Sequence, residues 1–229
     1  MIDFVELAKD LGIELTSEML HQYQTYYEFL ISENEKINLT GIVDIDGVYL
    51  KHFYDSLTIV KANISKDAHI CDIGAGAGFP SIPLKIAYPS LKITIVDSLQ
   101  KRTVFLKELV RKLGLSDVNI IWGRAEEVSN ADFDIVTARA VARLNILDEL
   151  CLPLVKKDGY FIAMKSASLE EEIKEAKQGI SILGGKIEDV ISFELPIEKS
   201  LRNILVVKKI KDTPSKYPRK FASIKKSPL

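Results

Sequence analysis

DIGAGAGFP, residues 72–80, is the stretch of this 229-residue chain that decides the fold. It follows the apolar run AHIC (68–71), which predicts a strand, and Pro80 suits the first turn of a helix. Glycine at alternate positions lets the backbone turn tightly and lets a ligand approach without meeting a Cβ atom. Loops of this kind after the first strand of a parallel sheet typically bind nucleotides. The stretch therefore predicts an α/β fold with a nucleotide-like ligand at this loop.

The spacing of the glycines separates two kinds of ligand. The dinucleotide pattern G-x-G-x-x-G would need its third glycine at position 79 or 81, where the chain has Phe79 and Ser81. In dinucleotide-binding proteins the third glycine lets the helix pack closely on the strand next to the bound pyrophosphate. S-adenosylmethionine carries no phosphate, so its site does not require that glycine. The pattern G-x-G-x-G therefore predicts S-adenosylmethionine as the cofactor, bound against Gly74, Gly76 and Gly78. A nicotinamide-dependent oxidoreductase of similar fold stays open as an alternative.

Two further motifs follow predicted strands. Asp97 ends the run KITIVD and is expected to accept hydrogen bonds from the ribose hydroxyls of the cofactor. The sequence GRAE (123–126) follows the next strand, where the adenine edge would lie, and it brings in Ala125 and Glu126. Glu126 could equally be an acid in the first turn of a helix.

The order of apolar runs predicts the topology. Strands are expected at 68–74, 92–98, 117–123, 133–139 and 159–165, with helices at 80–87, 99–113, 144–155 and 169–183 between or after them. Such alternation predicts a parallel sheet covered on both faces. Two β-rich runs near the C-terminus, 186–195 and 202–210, predict an antiparallel pair at one edge. The expected sheet therefore has seven strands and is mostly parallel.

The remaining chain suggests three parts: a helical N-terminal extension (1–62), a methyltransferase domain (63–211) and a basic C-terminal tail (212–229). Helices are expected at 2–11, from Thr16 or Ser17 onward, and at 47–61. The tail is expected to be irregular. The second helix carries an aromatic stripe that is interpreted as core, with base stacking as the alternative: Tyr23, Tyr26, Tyr27 and Phe29.

Composition narrows the class of protein. The net charge is −1, yet residues 208–229 hold eight basic side chains and one acid, so the C-terminus could contact phosphates or act as a solubilising tail. The N-terminal ten residues lack the pattern of a secretory signal, and no apolar run is long enough to span a membrane. Cys71 and Cys151 are expected to be buried thiols, and no metal-ligand spacing is present. We expect a cytoplasmic monomer without metal or membrane contact.

The residues after the fourth strand restrict the acceptor. They read Thr137-Ala138-Arg139-Ala140, without the Asn/Asp-Pro-Pro-aromatic motif of many amine methyltransferases. Neither cysteine is placed to act as a nucleophile. Direct transfer to an atom that already bears a lone pair remains, such as N7 of guanine, which needs no general base. A small-molecule methyltransferase and a non-catalytic RNA-binding protein stay as alternatives.

Taken together, the motifs resemble the glucose-inhibited division protein B (RsmG) family of bacterial ribosomal RNA methyltransferases. The matching pieces are NLTGI (38–42), His52 with DSL (55–57), CDIGAGAGFPSIPL (71–84), VDS (96–98), RAE (124–126), TARAVA (137–142), PIE…RN (196–203) and KYPRK (216–220). The resemblance implies a class I, Rossmann-like methyltransferase fold with a helical N-terminal extension. It also implies methyl transfer to N7 of a guanine in 16S ribosomal RNA, naked or in the assembling small subunit. It implies cofactor contacts at Gly74, Phe79, Ala125, Glu126 and Arg139. After KYPRK the chain departs from the usual Pro-Gly-Thr-Pro of the family.

Several other residues are candidates for contact with RNA or for catalysis. Arg139 is expected to face the substrate cleft and is the one catalytic candidate. His52 and Asp55 are interpreted as a structural pair on one helix face, and Trp122 as core, with base stacking as the alternative. Basic residues near strand ends or in the tail are candidates for phosphate contacts: Lys101, Arg102, Arg124, Lys165, Arg202, Lys216, Arg219 and Lys220.

Overall fold

The computed structural model describes residues 2–128, 132–166 and 169–229. Its strands are β1 His69–Ile73, β2 Lys92–Asp97, β3 Val118–Trp122, β4 Phe133–Arg139, β5 Val155–Lys165, β6 Gly185–Glu194 and β7 Leu201–Lys209. Its α-helices are α1 Phe4–Asp10, α2 Ser17–Ile37, α3 Ile45–Val48, α4 Asp55–Leu57, α5 Ser81–Ala87, α6 Gln100–Lys112, α7 Leu144–Cys151, α8 Leu169–Ile182 and α9 Phe221–Lys226.

The seven strands form one sheet in the order β3-β2-β1-β4-β5-β7-β6. The first five strands pair in parallel, and β7 is antiparallel to both β5 and β6. The predicted fold and the predicted antiparallel pair are therefore confirmed. Because the chain order reverses at β1, where β2 lies on one side and β4 on the other, a crevice opens at the carboxyl end of β1. The glycine-rich loop starts there, and the Gly74 N–H donates to Val96 O at 2.8 Å.

Two predicted helices and one predicted strand differ clearly from the structure. The helix expected at 144–155 stops at Cys151, and a 3-10 turn, Leu152–Leu154, leads into β5 at Val155. Pro153 explains the early end, since proline lacks the N–H that would continue the α-helical hydrogen bonds. The helix expected at 47–61 is a continuous helical segment of mixed type, with the π-helical turn Tyr49–Tyr54 between α3 and α4 and the 3-10 helix Thr58–Ala62 after them.

The N-terminal helices pack on one face of the sheet and reach the glycine loop. Tyr23 and Tyr26 of α2 are fully buried, which confirms their interpretation as core, while Tyr27 and Phe29 are partly buried against the same cluster. The Tyr26 hydroxyl donates to Ala77 O at 2.5 Å, and the Tyr23 hydroxyl donates to Pro83 O at 2.8 Å. Two tyrosines of α2 therefore support the loop and the helix α5 that follows it.

The C-terminal segment packs on the other face of the sheet. It contains the short helix α9, and Ile224 of that helix is fully buried in the hydrophobic cluster formed with α7 and α8. The prediction of an irregular tail is therefore wrong. Trp122, which the sequence analysis interprets as core, is 59% exposed, so that interpretation is wrong as well. Trp122 ends β3, which is an edge strand, and its indole N–H donates to Ser98 O at 3.2 Å.

Within the described part of the chain, no helix is long and apolar enough to cross a membrane. Across the same residues, no group of three or more histidine, cysteine, aspartate or glutamate side chains is arranged to hold a metal ion.

Candidate functional site

The three loop glycines differ in what surrounds them. All three have positive φ, +71° at Gly74, +62° at Gly76 and +106° at Gly78, a conformation that side chains with a Cβ rarely adopt. A Cβ at Gly74 would lie 2.8 Å from Val141 Cγ2, and one at Gly78 would lie 2.8 Å from the Tyr26 hydroxyl. A Cβ at Gly76 would meet nothing within 4 Å. Close packing thus explains why positions 74 and 78 are glycine, whereas Gly76 faces open space that a ligand could occupy.

Asp72, the last residue but one of β1, is buried just before this loop. Its Oδ2 accepts from the Ser81 N–H at 3.1 Å, and its Oδ1 has no hydrogen-bond partner among the described residues. Burial raises the pKa of Asp72 to about 7. S-adenosylmethionine carries positive charge on its sulfur and on its amino group. A buried carboxylate oxygen that lacks a donor beside an open glycine loop fits such a cofactor.

Asp97 lies at the end of β2, against the same loop. Its side chain is almost fully buried; Oδ2 accepts from the Gly76 N–H at 3.2 Å and Oδ1 accepts from the Leu99 N–H at 2.9 Å. Arg102 Nη1 lies 3.7 Å from Asp97 Oδ2. In this structure Asp97 therefore holds the open part of the loop, and its carboxylate is next to the position at which a ligand would meet Gly76.

The third part of the site follows β3. Ala125 and Glu126 lie in a single 3-10 turn, Ala125–Glu127, with Ala125 buried and Glu126 partly exposed. Glu126 does not begin an α-helix. Its Oε1 lies 4.0 Å from Arg124 Nη1 and accepts from the Phe221 N–H of α9 at 3.3 Å. The turn is thus fixed from the C-terminal segment.

Arg139, at the end of β4, reaches back to the N-terminal helices. Its Nη1 donates to Asp55 Oδ2 at 2.9 Å and to Lys51 O at 3.1 Å, and its Cζ lies 4.9 Å from the centre of the Phe79 ring. The other oxygen of Asp55 accepts from Arg202 Nε at 3.0 Å. Asp55 is buried, so these two arginines supply the positive charge that makes its burial tolerable.

His52 completes this cluster. Its ring stacks on Phe79 with centroids 4.5 Å apart, and Nδ1 lies 3.3 Å from Arg139 Nη2. Because a guanidinium only donates, Nδ1 must accept, and the ring proton then lies on Nε2, 2.7 Å from Thr40 Oγ1. Burial, together with the charge of Arg139, lowers the pKa of His52 to about 4. His52 and Asp55, predicted as a structural pair, are thus joined through Arg139.

A cavity of about 410 Å³ opens beside this cluster, between the ends of β4, β5 and β7 and the N-terminal helical segment. Its charged lining residues are Lys51, Asp55, Arg139, Lys165, Glu172 and Arg202. A larger cavity of about 770 Å³ lies near the amino-terminal ends of β1 and β4. Ligands of open α/β sheets bind at the carboxyl ends of the strands, so the smaller cavity is the better candidate for an acceptor site.

The predicted RNA contacts fall into two groups. Lys101, Lys216 and Lys220 are exposed. The other five have carboxylate partners: Arg102 with Asp97, Arg124 with Glu126, Lys165 with Glu172, Arg202 with Asp55 and Arg219 with Glu149. Of these eight residues, only Lys101 and Lys220 have neither a carboxylate nor an aromatic ring as partner among the contacts of the described residues. The Nζ atom of Lys216 lies 5.2 Å from the centre of the Tyr217 ring.

Sequence reasoning did not assign roles at the site to Tyr26, Asp72 and Thr40. Tyr26 was grouped with the core, and its hydroxyl proves to hold Ala77 of the loop. Asp72 stands inside the quoted stretch, and its acidic side chain in an otherwise apolar strand was a signal that could have been used. Thr40 lies in the matched motif NLTGI, but only the fold brings it to His52.

A seven-stranded sheet of this order, with an open glycine loop at the end of β1, defines the class: the protein has the class I methyltransferase fold. Solved structures share it. One is a SAM-dependent methyltransferase from Aquifex aeolicus, with a TM-score of 0.56, 18% identity, and coverage of 79% of this chain and 98% of that one. Another is a ribosomal protein L11 methylase from Lactobacillus delbrueckii subsp. bulgaricus, with a TM-score of 0.54, 16% identity, and coverage of 70% and 79%.

Sequence comparison names the family. The GidB family model, described as rRNA small subunit methyltransferase G, matches residues 19–201. The chain is 55% identical to the Ribosomal RNA small subunit methyltransferase G of Staphylococcus saprophyticus, over 95% of this chain and 93% of that protein. It is 51% identical to the protein of that name from Bacillus subtilis strain 168, over 99% and 98%. The chain belongs to this family, which confirms the predicted family, the enzyme class and S-adenosylmethionine as cofactor.

Proposed function

We propose that this protein transfers a methyl group to N7 of a guanine in the 16S ribosomal RNA of the small ribosomal subunit. The names of its relatives support the RNA of the small subunit as substrate. The observation that supports the choice of N7 is the cavity beside Arg139. Among its described lining residues, both carboxylates are paired with cations and both ring nitrogens of His52 are engaged.

The cofactor is proposed to bind along the carboxyl ends of β1, β2 and β3. Gly76 supplies the open backbone, Asp97 and Asp72 supply negative charge, and Phe79 with Arg139 closes one side of the site. S-adenosylmethionine supplies, when bound, a methyl group on a positively charged sulfur. The residues predicted from the sequence and proposed to lie against the cofactor are Gly74, Gly76, Gly78, Phe79, Asp97, Ala125, Glu126 and Arg139, and the structure adds Asp72.

The acceptor is proposed to enter the cavity of about 410 Å³. Cys71 and Cys151 are buried, and burial raises the pKa of each thiol, so neither is a nucleophile. His52 faces the cavity, but both of its ring nitrogens are engaged, and Asp55 is paired with two arginines. Attack by guanine N7 requires no proton to leave, so a cavity whose basic groups are all occupied suits that acceptor.

The three parts of the chain are proposed to have different roles. Residues 1–62 form the extension that supports the loop and anchors Arg139, residues 63–211 form the methyltransferase domain, and residues 212–229 form the C-terminal segment. Exposed Lys101, Lys216 and Lys220 are the favoured contacts to RNA phosphates. We propose that the protein acts in the cytoplasm as a monomer, on 16S ribosomal RNA or on the assembling small subunit.

The test is to map 7-methylguanosine in ribosomal RNA from cells with and without this protein, and from cells that carry the Gly76→Ala variant. The proposal expects one guanine of 16S RNA to lose the modification in cells without the protein and to be modified to a smaller extent in cells that carry Gly76→Ala. Purified protein with labelled cofactor should restore the modification on RNA or on small subunits. Loss of a methyl group at another atom, or transfer only to small molecules, would overturn the proposal.

A further inference from the structure

Residues 216–229 of the C-terminal segment are attached to the core by an ion pair whose carboxylate is buried. Arg219 donates to Glu149 from its backbone N–H at 2.8 Å, from Nε at 2.8 Å and from Nη2 at 2.5 Å. Glu149 of α7 is fully buried, whereas Arg219 is partly exposed. A buried carboxylate is costly unless it is paired and hydrogen-bonded. Glu149 therefore holds this segment in one place through Arg219.

The anchored segment then touches the turn after β3. The Phe221 N–H donates to Glu126 Oε1 at 3.3 Å, and the Arg124 guanidinium carbon lies 5.6 Å from the centre of the Phe221 ring. Phe221 thus contacts both residues that precede and follow Ala125. Ala125 and Ile224 belong to one hydrophobic cluster, so the packing continues from the tail to the proposed cofactor site.

From these contacts we infer that the segment 216–229 is a positioning element of the cofactor site. The Phe221 N–H holds Glu126 in the orientation in which it receives the adenosine part of S-adenosylmethionine, and Arg219 holds Phe221. This inference rests on the proposed placement of that part of the cofactor at Ala125 and Glu126. It assigns the tail a role distinct from the phosphate contacts expected from its charge.

Energetic linkage gives the inference a measurable form. If the docked segment improves the affinity for the cofactor, the bound cofactor must stabilise the docked segment by the same factor. The amide of Phe221 should then exchange with solvent more slowly when S-adenosylhomocysteine is bound. A tail that serves only to contact RNA would show neither effect.

Phe221→Pro is the variant that isolates the hydrogen bond. Phe221 is the first residue of α9, where proline is tolerated, and Lys220 before it has φ −61° and ψ 140°, as proline requires of its neighbour. The substitution removes both the N–H and the ring, so its matched control is Phe221→Ala, which removes the ring and keeps the N–H. The affinity for S-adenosylhomocysteine is measured by calorimetry, and the thermal unfolding of the ligand-free protein is measured in parallel.

We expect Phe221→Pro to bind S-adenosylhomocysteine about fivefold or more weakly than Phe221→Ala, as for the loss of a hydrogen bond to a charged group. In a Glu126→Ala background, the two substitutions at 221 should no longer differ, because their difference acts through Glu126. Equal affinities of Phe221→Pro and Phe221→Ala would overturn the inference. Unchanged affinity of Glu126→Ala alone would instead show that the proposed cofactor placement is wrong.

Amide exchange keeps the test decisive if the proline variant does not fold. In the intact protein, Phe221 exchange should slow on addition of S-adenosylhomocysteine, and Glu126→Ala should abolish that protection. Exchange of Phe221 that is unaffected by the ligand would count against the inference without any substitution at residue 221.

Discussion

The guanidinium of Arg139 lies over the ring of Phe79, with Cζ 4.9 Å from the ring centre. Phe79 ends the glycine-rich loop and Arg139 ends β4, so this contact joins the two strand ends between which the crevice opens. The same guanidinium binds Asp55 of the N-terminal helical segment at 2.9 Å. One side chain therefore connects the cofactor loop, the acceptor cavity and the extension.

Arg139→Lys should lower the rate of methyl transfer about tenfold or more. Lysine keeps the charge but lacks the planar fork, so it cannot bind Asp55 and Lys51 O while lying flat on Phe79. The measurement is single-turnover methyl transfer to small-subunit RNA with saturating cofactor. Arg143→Lys is the matched control, since Arg143 forms an exposed pair with Glu175 at 2.7 Å. A rate equal to that of the control would contradict this role for Arg139.

Gly76→Ala should weaken cofactor binding by about tenfold or more, because its methyl group enters the open space beside the loop. The positive φ of Gly76 adds a folding cost of about 1–2 kcal/mol. Gly114→Ala is the control for that cost: Gly114 has φ +64° and, like Gly76, nothing within 4 Å of an added Cβ, but it follows α6 away from the loop. Both variants should lose similar stability in denaturant unfolding. Similar cofactor affinities would show that the open space at Gly76 is not used.

The strands and the loop could be predicted because their signals are local. Apolar runs of strand length and glycines at alternate positions in 72–80 fix backbone conformation within a few residues. The topology then follows from the general rules for parallel sheets. Trp122 shows where local reasoning fails, because its run resembles the others but β3 lies at the edge of the sheet and leaves the indole exposed.

The connections within the candidate site could not be predicted because they join distant parts of the chain. Arg139 and Asp55 are 84 positions apart, and Phe221 and Glu126 are 95 positions apart. Charge alone favoured phosphate contacts for Arg219, yet the fold buries Glu149 beside it. Tertiary packing decides which cationic side chain pairs with which carboxylate, and the sequence pattern does not show these pairs.

His52 should make the protein less stable as the pH falls. Its folded pKa of about 4 lies below the ordinary value of 6.5, so the unfolded chain binds more protons between these values. The contribution of His52 is complete above pH 6.5 and is lost progressively as the pH falls toward 4. His52→Phe should remove this contribution, so the unfolding free energy, measured by urea denaturation, should rise less with pH in this range than it does in the unaltered protein. The raised pKa values of Asp72 and Asp148 contribute slopes of the opposite sign in both proteins. Burial lowers the pKa of His69 too, so part of the slope will remain.

The exposed His21 offers the control for this experiment. His21→Phe should leave the slope between pH 4 and 6.5 as it is in the unaltered protein. If His52→Phe and His21→Phe give the same slope, the ring of His52 is not held in its neutral form by the fold.

Asp72 should make cofactor affinity rise with pH. Burial raises its folded pKa to about 7 from 3.8, so in the ligand-free protein the folded state holds a proton that the unfolded chain releases. Stability from this group is therefore present at low pH and is lost as the pH rises from about 4 through 7.

A cationic cofactor beside the unpartnered Oδ1 of Asp72 favours the carboxylate, so binding of the cofactor releases this proton below pH 7. Calorimetry in buffers of different ionisation enthalpy should detect the released proton at pH 6 and less of it at pH 8. Asp72→Asn should bind the cofactor more weakly and should release no proton on binding. Its stability should also fall less as the pH rises above 4. Proton release that persists in Asp72→Asn would assign the proton to another group.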